Sequence, residues 1–323
     1  MDTLIANLSH PPVLFFFMGM IAVWVKSDLE IPDSIGKFFS LYLLFDIGLK
    51  GGEELFHSGI TTEVTQVMIA CVLLSFFVPF LVFFILRKFV NLENAGAIAA
   101  AYGSISAVTF ATSVSFLNSL SEPFSGFMVA GMALMESPAI IAGLILISLS
   151  LRDRTNGEKV KWKKVFHEAA FNGSVYLLIG SLIIGILGGA EGERELEPFV
   201  NGIFAGMLSL YMLDMGLMAG SRLSSLKESA LPLVGFALIY PIFGSILGMI
   251  AASIIGLNPG NSLLLTVLAA SASYIAVPAA MRISVPKANM SLLLPMSLGV
   301  TFTFNVTIGI PLYYQVIKMM SHS

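Results

Sequence analysis

AIAAAYGSISAVTFAT (Ala97–Thr112) and LLTVLAASASYIAVPA (Leu264–Ala279) are the two stretches whose reading decides the fold. Each lies inside an apolar span, and each carries small and hydroxyl residues where a lipid-facing helix would carry Leu and Ile. A shift of 167 positions lays Ser104, Ser106 and Thr109 on Ser271, Ser273 and Ala276, and Asn94 on Asn261 at the mouth of each span. Gly, Ser and Ala at membrane depth allow a helix to break and turn backbone dipoles toward a ligand. Close helix packing, in which small residues let two backbones approach, is the competing reading. The occurrence of both clusters at matching places in two halves of one chain favours the break.

Composition sets the class. Of 323 residues, 56% are apolar and only 11% charged, against about a quarter charged in a soluble domain, so the chain is an all-α integral membrane protein embedded in a lipid bilayer. A net charge of −3 excludes a nucleic-acid partner. The single cysteine, Cys71, rules out an intrachain disulfide. The N-terminal MDTLIANLSHPP has no basic region before its apolar run, so the first span is expected to be retained.

Ten apolar spans can be marked, at about 11–25, 35–50, 64–86, 94–118, 124–151, 165–189, 197–220, 231–256, 261–281 and 290–317. The first two are short for a bilayer that needs roughly 20 helical residues. Of the 17 Lys and Arg residues, 14 fall in the connections after the odd-numbered spans. The positive-inside rule then places the polar loop 152–164 in the cytoplasm and both termini outside.

The internal likeness extends past the serine stretches. LYLLFDIGLKGG in the second span reads against LYMLDMGLMAG in the seventh, with Asp46 over Asp214 and Gly48 over Gly216. FFVPFLVFF in the third reads against LIYPIFGSI in the eighth, with Pro79 over Pro241. The chain therefore divides into a first five-helix repeat (1–151), a cytoplasmic loop (152–164) and a second repeat (165–323). Five being odd, the second half must be inverted in the membrane, an arrangement found in secondary transporters. Broken helices four and nine would then bring two positive helix ends to one midplane point, an anion site that needs no Lys or Arg.

Glu136, in GMALMESPAII, is an ionisable group deep in the fifth span and so a functional candidate. Pro138 frees a backbone carbonyl beside it, and a carboxylate next to carbonyls suits Na⁺ or a proton. Thr301, Thr303, Asn305 and Thr307 in GVTFTFNVTIG are the counterparts from the other half, read as an unwound segment, with ordinary interhelical hydrogen bonds as the alternative. Asp46 and Asp214 lie near span ends, where interfacial carboxylates are equally expected. Arg282 reads as a positive-inside anchor, and Tyr102 and Tyr274 flank the serines as cavity or packing residues. No GxSG nucleophile occurs, and all four histidines lie at termini or span edges. A serine dyad or zinc site cannot be assembled from them; an intramembrane aspartyl enzyme built on Asp46 and Asp214, a channel and a non-transporting receptor stay as competing readings.

LYLLFDIGLKGG, YGSISAVTFAT, MESPAI, AASASYIAVPAAMR and SLGVTFTFNVTIGIPLYY together resemble the sodium-dependent bicarbonate permease family, SbtA-like, including its wider bacterial relatives. The resemblance covers essentially the whole chain. It implies a ten-helix inverted repeat assembled as a homotrimer in the bacterial inner membrane, with spans 1, 2, 6 and 7 as a fixed gate and the other six as a moving core. It implies substrate binding at Ser104, Ser106, Thr109, Ser271 and Ser273, beside which Gly103 and Tyr274 are expected to line the substrate site, and sodium binding at Glu136, Ser106, Thr303 and Asn305. Na⁺ would be the coupling ion, with no organic cofactor, and a PII-like protein would dock on the cytoplasmic face. The chain departs from the pattern in carrying Tyr274 where an acidic residue is expected, Glu136 where Asp is expected, and a shorter 152–164 loop. The expected activity is therefore Na⁺ symport of bicarbonate, or of another small organic or inorganic anion.

Overall fold

The computed structural model describes residues 7–59, 61–151, 173–223 and 231–321; the 152–164 loop and the start of the sixth span lie outside them. Among the described residues the regular structure is entirely helical. In chain order the helices are α1 (Pro11–Trp24), α2 (Asp33–Ser58), α3 (Thr62–Leu86), α4 (Leu92–Gly103), α5 (Ala107–Ser119) and α6 (Phe127–Leu151). There follow α7 (Gly173–Val200), α8 (Phe204–Leu223), α9 (Leu231–Ile255), α10 (Pro259–Ala270) and α11 (Ala276–Ser284). The last helix, α12 (Met290–Ser321), contains two π-helical stretches, Pro295–Phe302 and Asn305–Gly309. Six helical stretches among these are long and apolar enough to cross a membrane, and three shorter apolar helices accompany them.

Local chemistry explains the helix limits. Asn91 caps α4 by accepting from the Asn94 amide at 2.8 Å, and Asn258 caps α10 by accepting from the Asn261 amide at 2.8 Å. Pro259 occupies the first turn of α10, where its missing amide costs nothing. Two sequence expectations change, for the second span and for Thr301–Thr307, and one bend is added. The second span is not short: α2 runs for 26 residues, because the polar stretch Lys50–Ser58 continues helical against other protein. α7 bends at Gly189, whose φ of 51° is accessible mainly to glycine. The Thr301–Thr307 segment is not unwound but widened into π-helix, with Thr303 Oγ1 donating to the carbonyl of Leu298 five residues back at 3.4 Å.

The helices pack as two groups. α1 lies along α8 and α2 along α7, and these are among the most extensive contacts in the molecule. Lipid is as apolar as Leu, so helix association in a membrane depends on close backbone approach. Gly19 of α1 faces Gly216 of α8, where a Cβ on Gly216 would stand 3.1 Å from the Gly19 Cα. Gly52 of α2 faces Gly185 of α7, where a Cβ on Gly185 would stand 3.0 Å from the Gly52 Cα. The second group holds α3 with α4 and α6, and α9 with α10 and α12. Its centre is the region between α4 and α5 on one side and α10 and α11 on the other.

Candidate functional site

Both serine stretches are breaks, and the breaks cross. α4 ends at Gly103, where a Cβ would overlap the Pro79 ring and come 3.0 Å from the Ser75 carbonyl, so glycine lets α3 approach this closely. Ser104–Ser106 runs extended before α5 begins, and Ser271–Ile275 separates α10 from α11. The Ser273 amide donates to the Ala101 carbonyl at 2.8 Å, and the Ser106 amide donates to Ser271 Oγ at 3.0 Å. Two non-helical segments, 167 positions apart in sequence, are thus bonded to one another inside the protein.

The carbonyl ends at this crossing are provided for. Tyr240 of α9 donates its hydroxyl to the carbonyls of Tyr102 and, at 3.1 Å, of Ala269. Asn305 Nδ2 donates to the Ala270 carbonyl at 2.9 Å, and Asn305 Oδ1 accepts from the Tyr313 hydroxyl at 2.9 Å. Ser271 Oγ donates to Leu268 O at 3.1 Å. The amide ends are only partly provided for. Ser106 Oγ accepts from the Thr109 amide at 3.2 Å and Ser273 Oγ from the Val277 amide at 3.3 Å, whereas each helix start carries several amides without an intrahelical acceptor. α5 and α11 therefore present net positive dipole ends at the crossing.

Three hydroxyls belonging to this region are buried without a hydrogen bond: Ser104 Oγ, Thr109 Oγ1 and Tyr274 OH. The Tyr274 hydroxyl approaches Ser106 without forming a well-shaped bond. Its ring stacks edge-on to Phe302 at 5.6 Å, and it lies within electrostatic reach of Tyr211 and Asp214 on α8. Tyr274 thus faces the seam between the two helix groups. A buried polar atom left unpaired costs about 1–3 kcal/mol, so a cluster of them marks a place where a ligand supplies the missing partner.

Glu136 sits on α6, buried, with Oε2 unpartnered. Pro138 in the same helix lacks the amide that would bond the Leu134 carbonyl, and Ser75 of α3 donates to the adjacent carbonyl of Met135. Thr303 is half-buried on α12, and Thr307 Oγ1 donates to its carbonyl at 2.7 Å. Thr301 Oγ1 donates to Ala237 O at 2.8 Å and meets the Tyr102 hydroxyl at 2.9 Å, which makes Tyr102 part of the packing that holds the crossing. Arg282 is exposed in the last turn of α11. Tyr240, Tyr313 and Ser75 escaped the sequence reading; the only signal for Tyr240 was its position beside the repeated proline, Pro241.

Asp46 and Asp214 do not form an aspartyl pair. Asp46 is fully buried on α2, not interfacial, with Lys50 Nζ 3.2 Å from its Oδ2 and Glu53 as its other charged neighbour. Asp214 on α8 has Asp33 as its charged neighbour. An acid–base dyad requires two carboxylates that feel one another strongly, and these two stand among different charges. Among the described residues no group of three His, Cys, Asp or Glu side chains is arranged to hold a metal ion.

A search of curated proteins finds no match. The profile of the Na⁺-dependent bicarbonate transporter superfamily matches residues 11–318. A multi-pass membrane chain with two crossed helix breaks, matched over nearly its full length, is thus a transporter and not an enzyme: it belongs to the Na⁺-dependent bicarbonate transporter superfamily.

Proposed function

We propose that the chain is a Na⁺-coupled symporter of a small anion, bicarbonate first among them, working by alternating access of a core against a gate. The observation that carries this reading is the asymmetry at the crossing. The carbonyl ends of α4 and α10 are engaged by Tyr240, Asn305, Ser271 and Ser273, while the amide ends of α5 and α11 and three unpartnered hydroxyls remain. Such a site favours negative charge. The anion would be held by Ser104, Ser106, Thr109, Ser271, Ser273 and Tyr274, with Gly103 admitting α3 beside it. Na⁺ would lie at Glu136 with Ser106, Thr303 and Asn305. A bound Na⁺ adds positive charge for the anion, which couples the two without a fixed basic residue. The same groups accept another small anion of similar size, because amides and hydroxyls read charge and shape.

Ten transmembrane helices in two inverted halves form the scaffold of this proposal. Its support is the exchange symmetry of the packing: α1 on α8 mirrors α7 on α2, α3 on α4 mirrors α9 on α10, and α4 on α6 mirrors α10 on α12. The outer bonds repeat as well. Asn94 Oδ1 accepts from the Asn289 amide at 2.7 Å and Asn261 Oδ1 from the Ser125 amide at 2.7 Å, each tying the broken helix of one half to the start of the last helix of the other. α1, α2, α7 and α8 would be the gate. Both termini would lie outside, as the Lys and Arg distribution favours, and a bacterial inner membrane is what the family resemblance implies. The homotrimer and the PII-like cytoplasmic partner rest on the family resemblance; mass photometry in lipid nanodiscs tests the first, and co-purification with a PII-type protein the second.

The deciding experiment is uptake of labelled bicarbonate into proteoliposomes under an inward Na⁺ gradient, with K⁺ replacing Na⁺, and with Glu136→Gln, controlling for carbon dioxide leak. Na⁺-driven accumulation that Glu136→Gln abolishes is the expected result. Folded protein that accumulates no bicarbonate would sink the substrate, and binding without accumulation would sink transport.

A further inference from the structure

A side chain from ahead of α1 fills a gap in the backbone of α12. Asn7 lies in the turn that leads into α1, its carbonyl accepting from the His10 amide at 3.1 Å, so it is held to the start of that helix. Its carboxamide is buried, and Nδ2 donates to the Val306 carbonyl at 2.9 Å and to the Thr307 carbonyl at 3.4 Å, 299 and 300 positions away. These are the carbonyls that Pro311 leaves short. In the π register each amide bonds five residues back, as the Ile310 amide does to the Asn305 carbonyl, so the next amide would belong to Val306. In the α register that amide would belong to Thr307. Residue 311 is proline and has no amide to give in either register. A buried carbonyl without a donor is costly, and here a donor comes from the opposite helix group.

We propose that Asn7 is a latch that fastens the gate to the core at the proline gap of α12. The inference rests on the alternating-access reading above, in which α1 belongs to the gate and α12 to the core, and adds to it a named bond that the movement must break. Phe16 of α1 also meets Phe302 of α12, edge-on at 5.6 Å. An apolar contact of that kind tolerates sliding, whereas a hydrogen bond weakens steeply once its donor is misaligned. Asn7 therefore selects one relative position of the two helix groups. The gate engages α6, the counterpart of α12 in the first half, by the same means: Glu54 of α2 accepts from the Gly126 amide just ahead of that helix. In both places a gate side chain meets a backbone group that the core helix cannot satisfy by itself. The gap at Pro311 is covalent, so it persists after release and can take the latch back.

The test is a double-mutant cycle on the full chain, with Asn7→Leu, Pro311→Ala and the two combined, read by melting in detergent and by uptake in proteoliposomes. Asn7→Leu strips the carbonyls of their donor and should lower the Tm. Pro311→Ala supplies an amide from within α12, so the combined variant should recover most of that loss, a non-additivity that marks a shared partner. The combined variant still lacks the bond across the seam, and its maximal uptake rate should rise about fivefold, the factor that goes with one net hydrogen bond. A reporter that needs no substrate is Asn7→Cys, labelled with a maleimide in Na⁺ and in choline, with the parent and its one buried cysteine, Cys71, as background. Its labelling rate should change with Na⁺ as the seam opens or closes. Additive melting losses, labelling indifferent to Na⁺, or an uptake rate in the combined variant no higher than the parent's would overturn the latch, even with Na⁺-driven uptake intact. A non-additive cycle with Na⁺-responsive labelling, but no bicarbonate uptake by any variant, would uphold the latch and reject the substrate.

Discussion

Tyr240→Phe removes one oxygen and nothing else, yet that oxygen serves both broken helices. Its hydroxyl reaches the carbonyls of Tyr102 and Ala269, the last turns of α4 and α10. The ring itself is retained by edge-on packing on Tyr102 at 4.7 Å, so the variant should keep its shape. One proton is shared between two acceptors, so the loss is one hydrogen bond, and leaving a buried carbonyl without that partner costs about 1–3 kcal/mol. A loss near 2 kcal/mol corresponds to a fall in Tm of roughly 4 °C in a chain of this size. The functional effect has a sign as well. Two carbonyl dipoles freed at the crossing oppose an anion, so the KM for the anion should rise about tenfold, which is 1.4 kcal/mol, while half-saturation by Na⁺ moves little. The assay is a melting curve in detergent paired with uptake kinetics in proteoliposomes at saturating Na⁺. A Tm within about 1 °C of the parent together with an unchanged KM would refute the assignment of Tyr240 as the group that neutralises the carbonyl ends.

Other outcomes can be checked in the same preparation. Ser106→Ala should lose the cap on α5 that the Thr109 amide uses, costing about 1 kcal/mol and raising the anion KM, whereas Ser106→Thr should retain much of both. Gly216→Ala places a methyl against the backbone of Phe16 and Gly19; α1 must shift, with a loss of about 1–3 kcal/mol read as a lower melting point, and Gly52→Ala should do likewise between α2 and α7. Glu122, in the connection after α5, meets Lys318 at 2.8 Å and accepts from the Tyr314 hydroxyl. Burial alone would raise its carboxyl, but the bonds and charge of these partners outweigh it and hold it below the usual 4.5. A depressed folded-state value means stability that is present above pH 4.5 and lost as pH falls through the depressed value. Glu122→Gln should therefore flatten the acid limb of a Tm-against-pH curve, by no more than the about 0–1 kcal/mol of a solvent-screened pair; an unaltered acid limb would discount the pair.

The amino-acid sequence by itself determined the membrane setting, the helical class and the positions of both breaks. These are compositional facts: apolar runs without charge cannot stay in water, and small and hydroxyl residues at matching places in two halves mark where a membrane helix breaks. The match of Asn94 with Asn261 was visible too, although the amides their side chains accept from, Asn289 and Ser125, lie in the opposite halves of the chain. Family membership was legible too, because it is carried by short runs such as LYLLFDIGLKGG and MESPAI.

What tertiary structure alone decided is which groups remain free once the chain is packed. Asn305 stands beside Thr303 in the sequence, but only packing brings the Ala270 carbonyl to its amide and the Tyr313 hydroxyl to its oxygen. Tyr240 carries no signal in the sequence beyond its place beside Pro241, yet α9 carries it to the ends of α4 and α10, whose Ala269 is 29 positions away in sequence. Asp46 looked interfacial because its span looked short, yet α2 continues well past it and buries it beside Lys50. In each case the residue type sets what a side chain can bond, but the partner is brought from a distant part of the chain. Hydrogen-bonding capacity is written locally; its satisfaction is a property of the folded whole.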